Sequence, residues 1–221
     1  MRNIPDFTSP HGAAQLILES IPYTETAYIL VRWVIPGELH LLLEECRRFC
    51  RMAGAERVLA LSDTLGEEPV PSNCPIAFRV LSMQLDKASI PPADAALFPV
   101  TPALAEGYIR RYNEAMTGID GAIRLTSQDK ERLLRQGSCY FVHRDSVLLG
   151  LGQVDGNRVS AIAACVPGEG KAVLQALAEA IFEDTLCLHV ADTNKKALRF
   201  YEKMGFVPTG IKELWLELPN Q

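Results

Sequence analysis

The residues that could do chemistry cluster towards the C-terminal end of this chain. His189 lies in the apolar run LCLHVA, where Leu186, Leu188 and Val190 take one face of a strand and Cys187 and His189 the other. An imidazole with an ordinary pKa of ~6.5 can accept a proton near neutral pH. Asp192, at the end of that strand, is a competing base. Tyr201 follows in an amphipathic helix, and its phenol, of ordinary pKa ~10, could hold or release a proton. Ala197, Leu198, Tyr201 and Met204 recur at helical spacing, so the same pattern also makes Tyr201 a core residue. Thr193 or Asn194 can cap that helix, and capping alone accounts for the asparagine. Upstream, Cys165-Val166-Pro167-Gly168-Glu169-Gly170 leads into Lys171-Ala172 and a helix. The free N–H groups of a helix start bind anions, and glycines allow a ligand close to the backbone. An ordinary strand-to-helix loop has the same composition, and Glu169 adds an unhelpful negative charge unless it points away.

Those residues need a scaffold, and the periodicity supplies one. Strands are expected over residues 13–20 and 26–34, with a turn at 22–25. Pro36 suits the first position of a helix, and Leu39, Leu42, Leu43, Cys46, Phe49, Cys50 and Ala53 form its apolar stripe up to Gly54. Strands follow at Glu56–Ser62 and Phe78–Leu85, separated by a loop from Asp63 to Pro75. Residues 87–96 read as a linker. Beyond it come a short strand at Leu97–Val100, helices at Pro102–Met116 and Ser127–Gln136, and strands at Cys139–His143, Val147–Val154 and Arg158–Val166. Asp155-Gly156 signals a tight hairpin between the last two. A helix from Gly168 to Glu183, the His189 strand, the Tyr201 helix and a strand at Ile211–Leu218 complete the order. Gly150 and Gly152 fall inside a strand and mark close packing or a bulge.

The order from residue 97 onwards, with Asn194, Ala197, Phe200, Tyr201, Glu202, Lys203, Gly205 and Phe206, resembles the GNAT superfamily of acetyl-CoA-dependent N-acyltransferases. The resemblance implies an α/β fold with a mixed, largely antiparallel central sheet flanked by helices. It implies acetyl-CoA as co-substrate, with its pyrophosphate in a loop of form Q/R-x-x-G-x-G/A. Cys165 stands where that pattern has Gln or Arg. The implied cofactor contacts are Ala164, Cys165, Val166, Gly168, Gly170, Lys171, Ala172, Asn194 and Tyr201. The backbone of Ile162–Val166 would pair with the pantetheine arm, and an N–H near Ala164–Val166 would hold the oxyanion. The implied catalytic residues are Tyr201, as proton donor to the departing sulfur, and His189, at the place where related protein N-terminal acetyltransferases carry a glutamate base. The implied activity is acetyl transfer to a primary amine by direct attack in a ternary complex. The alternative is a non-catalytic GNAT-fold module that binds acyl-CoA or a protein. Cys165, Glu169 and the single C-terminal strand, where relatives have two, favour that alternative.

The N-terminal half carries its own β-β-α-β-loop-β order, a reduced copy of the same unit. The expected division is a reduced GNAT-like half at 1–86, a linker at 87–96 and an acetyltransferase domain at 97–221; one mixed sheet shared by both halves is equally consistent. A net charge of −5 argues against nucleic acid as the main partner. No apolar run approaches the ~20 residues that span a bilayer, and MRNIPDFTSPHG lacks a signal-peptide core, so a cytoplasmic protein with no membrane partner is expected. Cys46 and Cys50 read as small core residues on one helix face and Cys165 and Cys187 as core residues of apolar strands, and no metal is expected. Tyr108, Arg110, Arg111, Tyr112 and Glu114 read as a solvated helix face that could otherwise meet the acceptor. That acceptor is a small-molecule or peptide amine, and an incomplete sheet edge could recruit a second copy as a homodimer.

Overall fold

The computed structural model describes residues 3–64 and 74–219. Most of the expected loop 63–75 therefore lies outside the described residues. The strands are β1 (Asp6–Ser9), β2 (Gly12–Ile17), β3 (Thr26–Val34), β4 (Arg57–Leu61), β5 (Ile76–Asp86), β6 (Ala96–Pro99), β7 (Cys139–Arg144), β8 (Val147–Asp155), β9 (Arg158–Ala164), β10 (Thr185–Ala191) and β11 (Val207–Glu217). The helices are α1 (Ile21–Thr24), α2 (Leu39–Met52), α3 (Ala105–Met116), α4 (Lys130–Gln136), α5 (Gly170–Glu179) and α6 (Lys195–Lys203).

All eleven strands form one sheet, in the order β1-β2-β3-β4-β11-β5-β10-β9-β8-β7-β6. Only β3–β4 and β9–β10 run parallel, each pair being joined through a helix as a parallel crossover requires. The apolar faces decide where the helices lie. Leu42, Leu43 and Cys46 of α2 pack with Leu16, Ile29, Val58 and Leu216. Val173, Leu174 and Leu177 of α5 and Tyr201 of α6 pack on Met83, Val142, Leu188 and Val190 of the same face. Tyr108, Ile109 and Leu133 of α3 and α4 cover Phe141, Leu151 and Ala161 on the opposite face. That face continues as an aromatic floor of Leu59, Phe78 and Trp215, with Tyr28 edge-on to Trp215 at 5.2 Å.

The sheet order reads as an internal two-fold. β1-β2-β3-α2-β4 and β7-β8-β9-α5-β10 have the same connectivity, and the symmetry falls between β11 and β5. The closing strands are exchanged: β5, from the first half, lies beside β10, while β11, from the second, lies beside β4. β5 and β11 then pair with each other. The strand that the C-terminal half lacks is thus supplied by the N-terminal half. The two helix-opening turns also match, as Ile35-Pro36-Gly37-Glu38 and Val166-Pro167-Gly168-Glu169. Gly37 has φ 85° and Gly168 φ 90°, a conformation that a side chain disfavours.

Several sequence expectations are corrected. Pro36 is not the first residue of a helix; with Gly37 left-handed behind it, α2 begins at Leu39. The strand expected at 13–20 is the second arm of a hairpin whose first arm, β1, contains too few apolar residues to register as a strand. The final strand begins at Val207, because β5 offers it a long partner. Tyr108 and Tyr112 are core residues of α3, not parts of a solvated face, and the Tyr108 hydroxyl donates to the Gly152 carbonyl at 3.1 Å. Cys165 is exposed, not core, because β9 ends before it. Between β5 and β6 the chain makes a 3-10 turn, Lys87–Ser89.

Candidate functional site

The site begins where two strands part. β9 and β10 pair only at Arg158–Cys187 and Val159–Leu188. Beyond that, the C-terminal ends of the two strands have no ladder to each other, which leaves a wedge in the sheet. Cys165 donates its N–H to the Leu149 carbonyl at 2.7 Å, on the β8 side. Alternation along the strand turns the N–H and C=O of Ala164 to the other edge, into the wedge. Val166 also donates to Leu149, at 3.3 Å. Of the backbone donors expected for an oxyanion, those of Cys165 and Val166 are therefore spent, and Ala164 is left.

The loop after β9 opens α5. Glu169 donates to the Val166 carbonyl at 3.2 Å and Val173 returns to Glu169 at 3.0 Å. The N–H groups of Gly170, Lys171 and Ala172 find no backbone acceptor among the described residues. They are the unmade donors of a helix start, where the dipole also favours an anion. Gly168 and Lys171 are exposed, while Ala172 is buried beneath them. A Cβ at Gly170 would sit 3.6 Å from the Phe200 ring, so α6 lies against the loop and a bulkier side chain has little room.

Glu169 does not oppose an anion there. Its carboxylate pairs with Arg144 at 2.6 Å, and Arg144 also holds Asp94 at 3.0 Å. Arg144 is a residue that the sequence reading missed. The matching first-half turn pairs Glu38 with His11 at 2.9 Å, so the repeated Pro-Gly-Glu was the available signal. The first-half turn differs in one position that matters. Leu39 stands where the second half has Gly170, and it is buried in the core. Among the described residues, no helix between β4 and β5 corresponds to α6 either. The open anion-binding turn is that of the second half.

At the far wall of the wedge, Asn194 caps α6, its side-chain oxygen accepting from the Ala197 N–H at 3.2 Å. Its amide NH2 is left for another partner. Tyr201 is buried between Phe200 and Phe206, with ring centroids at 5.4 and 5.7 Å. Burial alone pushes its phenol pKa up, so the group stays protonated at any physiological pH. His189 lies on the other face of β10, opposite Ser82 of β5. Partial burial, then the cations of Arg158 and Lys212, pull its pKa down against a smaller opposing effect of Glu213. The imidazole is therefore neutral at pH 7. Tyr201, packed with α5 in the core of one face, and His189 thus lie on opposite faces of the sheet. Asp192, the competing base, is occupied: it accepts from the Arg79 N–H at 3.0 Å and pairs with its guanidinium at 3.4 Å.

On the His189 face, the segment after α3 closes over the floor. Asp120 accepts from Thr193 at 2.9 Å and from Arg57 of β4 at 2.8 Å. Gly121 lies over the Phe78 ring, 3.4 Å from where its Cβ would be. Residues of both halves therefore border the mouth of the wedge. Among the described residues, no group of three or more His, Cys, Asp or Glu is placed to hold a metal ion, and no helix is long and apolar enough to cross a membrane.

No protein-family model matches the chain, and no curated protein sequence matches it. Solved structures do. A GCN5-related N-acetyltransferase from Sphaerobacter thermophilus is 16% identical over 93% of this chain and 76% of its own, with a TM-score of 0.57. One from Kribbella flavida is 13% identical over 100% of this chain and 91% of its own, with a TM-score of 0.55. A tandem GNAT protein from the clavulanic acid biosynthesis pathway is 15% identical over 97% of this chain and 82% of its own, with a TM-score of 0.52. These likenesses establish that the chain has the fold of the GCN5-related N-acetyltransferases.

Proposed function

We propose that the protein is an N-acetyltransferase that moves an acetyl group from acetyl-CoA to a primary amine. The observation that carries this reading is the wedge between β9 and β10, with an open helix start beside it and a buried, protonated tyrosine on the helix that follows β10. The donor set fits the co-substrate. The N–H groups of Gly170, Lys171 and Ala172 would take the pyrophosphate, and the free edge at Ala164 would pair with the pantetheine amide. The Asn194 amide and Gly168 lie on the same path.

In the reaction, the amine nitrogen attacks the thioester carbonyl, the C–N bond forms and the C–S bond breaks. The amine proton passes to neutral His189, directly or through water, from the face that His189 occupies. Tyr201 donates its phenolic proton to the departing sulfur from the other face. The N–H of Ala164 would stabilise the developing oxyanion, leaving its carbonyl for the pantetheine amide. The site lies in the cytoplasm on this reading, and the acceptor enters over the aromatic floor.

Calorimetric titration with acetyl-CoA, followed by free-thiol release over a panel of amines, tests the proposal. Micromolar binding with amine-dependent release is expected. Tyr201→Phe should lower the rate while keeping acetyl-CoA affinity. Binding without release for any amine would assign the chain to the non-catalytic alternative, which Cys165 in place of Gln or Arg favours. No binding up to ~1 mM, about 4 kcal/mol of affinity, would remove the acyl-CoA reading altogether.

A further inference from the structure

A second site lies away from the wedge, where the two halves meet. Arg124, just after the segment that follows α3, lays its guanidinium 3.7 Å from the centroid of the Tyr23 ring, in the first half. Among the described residues it has no carboxylate partner and makes no hydrogen bond. It lines a pocket with Ser20, Tyr23 and Tyr28 of the first half and Met116 and Ile123 of the second, and no acidic residue takes part in the lining. The other arginines near the junction are neutralised, Arg57 by Asp120 and Glu217 and Arg79 by Asp192.

An arginine held over an aromatic ring keeps its fork of donors fixed and pointed away from that ring. Left unpaired beside apolar walls, such a fork matches a planar, singly charged group that accepts two parallel hydrogen bonds. The pocket volume decides how much of a ligand enters. The pocket is small, about 40 Å³. That admits one head group and leaves the rest of the molecule outside. A single cation among Met116, Ile119, Ala122 and Ile123 also suits one negative charge better than a phosphate dianion.

We propose that this junction is a binding site for a small free carboxylic acid, with Arg124 taking the carboxylate bidentately and the Ser20 or Tyr28 hydroxyl donating a further hydrogen bond. The site goes beyond acetyl transfer and does not depend on it. Because its walls come from both halves, a bound carboxylate would tie the segment after α3 to the first half.

The test is a titration of the full chain with sodium acetate at constant ionic strength, read on the Ile123 amide resonance in every protein and on Arg124 Nε–Hε in the unsubstituted one. A saturable shift is expected, with affinity at least ~10-fold weaker in Arg124→Gln and intermediate in Arg124→Lys, because a bidentate pair supplies most of the binding. Arg124→Lys keeps the charge and protects the test against a misfolded Arg124→Gln. Acetyl-CoA affinity, measured in parallel, should be unchanged in both variants, so loss of the acetyltransferase reading leaves this result intact. A linear, unsaturable shift, equal affinity in the Arg124→Gln protein, or tighter binding of inorganic phosphate than of acetate would each overturn the assignment.

Discussion

Replacing Gly150 with alanine should both destabilise the protein and weaken acetyl-CoA binding. Gly150 and Gly152 are two residues apart on β8, so both turn the same way, under α5. A Cβ at Gly150 would stand 2.4 Å from the Ala163 carbonyl oxygen and 2.6 Å from a Val173 methyl. A Cβ at Gly152 would meet the Leu177 methyls at 2.3 and 2.9 Å and the Ala161 carbonyl at 2.8 Å. A methyl can rotate away, but a carbonyl of the β8–β9 ladder moves only if the strands part. Overpacking of this kind costs about 1–3 kcal/mol, offset in part by about 0.4–1 kcal/mol from a less flexible unfolded chain. A net loss of about 1–2 kcal/mol lowers Tm by roughly 2–8 °C in a domain of this size. The displaced carbonyl belongs to Ala163, next to the Ala164 edge of the wedge, so acetyl-CoA affinity should fall with it. Gly107 is the control. It lies in α3 with nothing within 4 Å of where a Cβ would stand, and Gly107→Ala should raise stability by about 0.4–1 kcal/mol. Scanning calorimetry and urea unfolding give the stabilities, and titration calorimetry gives the affinity. A Gly150→Ala protein with wild-type Tm and acetyl-CoA affinity would refute the packing argument.

Arg144→Ala should weaken acetyl-CoA binding several-fold by freeing the Glu169 carboxylate beside the helix start, and adding Glu169→Gln should restore it; calorimetry on the two variants decides whether neutralisation is the cause. The rate should fall with acid through a midpoint below the ordinary histidine value of ~6.5, because burial and the cations of Arg158 and Lys212 disfavour the imidazolium. With neutral His189 as the proposed base, activity should be full at pH 7 and lost as pH drops through that midpoint, and a profile in which His189→Ala keeps the same limb would remove its role. Cys165 should react fastest with a thiol reagent at pH 8 and be protected by acetyl-CoA, since it alone is exposed, while burial pushes Cys46 and Cys50 up to about 12. Peptide mapping after a short pulse would show the order, and equal labelling with and without acetyl-CoA would place Cys165 outside the site.

The C-terminal half was the more legible in sequence because its signals are local. Asn194 at the cap of α6, the apolar spacing through Tyr201 and the Asp155-Gly156 hairpin each act within a few residues, and each stands where expected. What sequence could not place depends on partners far along the chain. Tyr108 looked solvated beside Arg110 and Arg111 until α3 lay over Phe141, at a ring separation of 5.6 Å. Arg144 became part of the site only through Glu169, across the β8–β9 hairpin. The Asp120–Arg57 pair joins residues of different halves, and no local pattern encodes it. β1 escaped notice for another reason, since an edge strand with one neighbour buries too little to need alternating apolar residues.

The exchange of closing strands gives the N-terminal half a task beyond support. β10 carries His189 on one face and borders the wedge at its end, yet its long ladder is with β5, from Thr185–Asp86 to Ala191–Val80. Its ladder with β9 stops at Leu188. The wedge stays open because β10 is anchored from the other side, by a strand of the other half, and Asp192 fastens its end to the backbone of Arg79 on that same strand. Without β5, nothing on that side would hold β10 away from the facing edge of β9, and zipping those two strands together would close the site. The first half illustrates the closed arrangement: β3 and β4 pair through Ile29–Ala60, and Leu39 occupies the position that Gly170 leaves clear. One copy of the unit thus holds the other open. The first half, whose own turn is closed by Leu39, therefore still supplies the strand that positions β10.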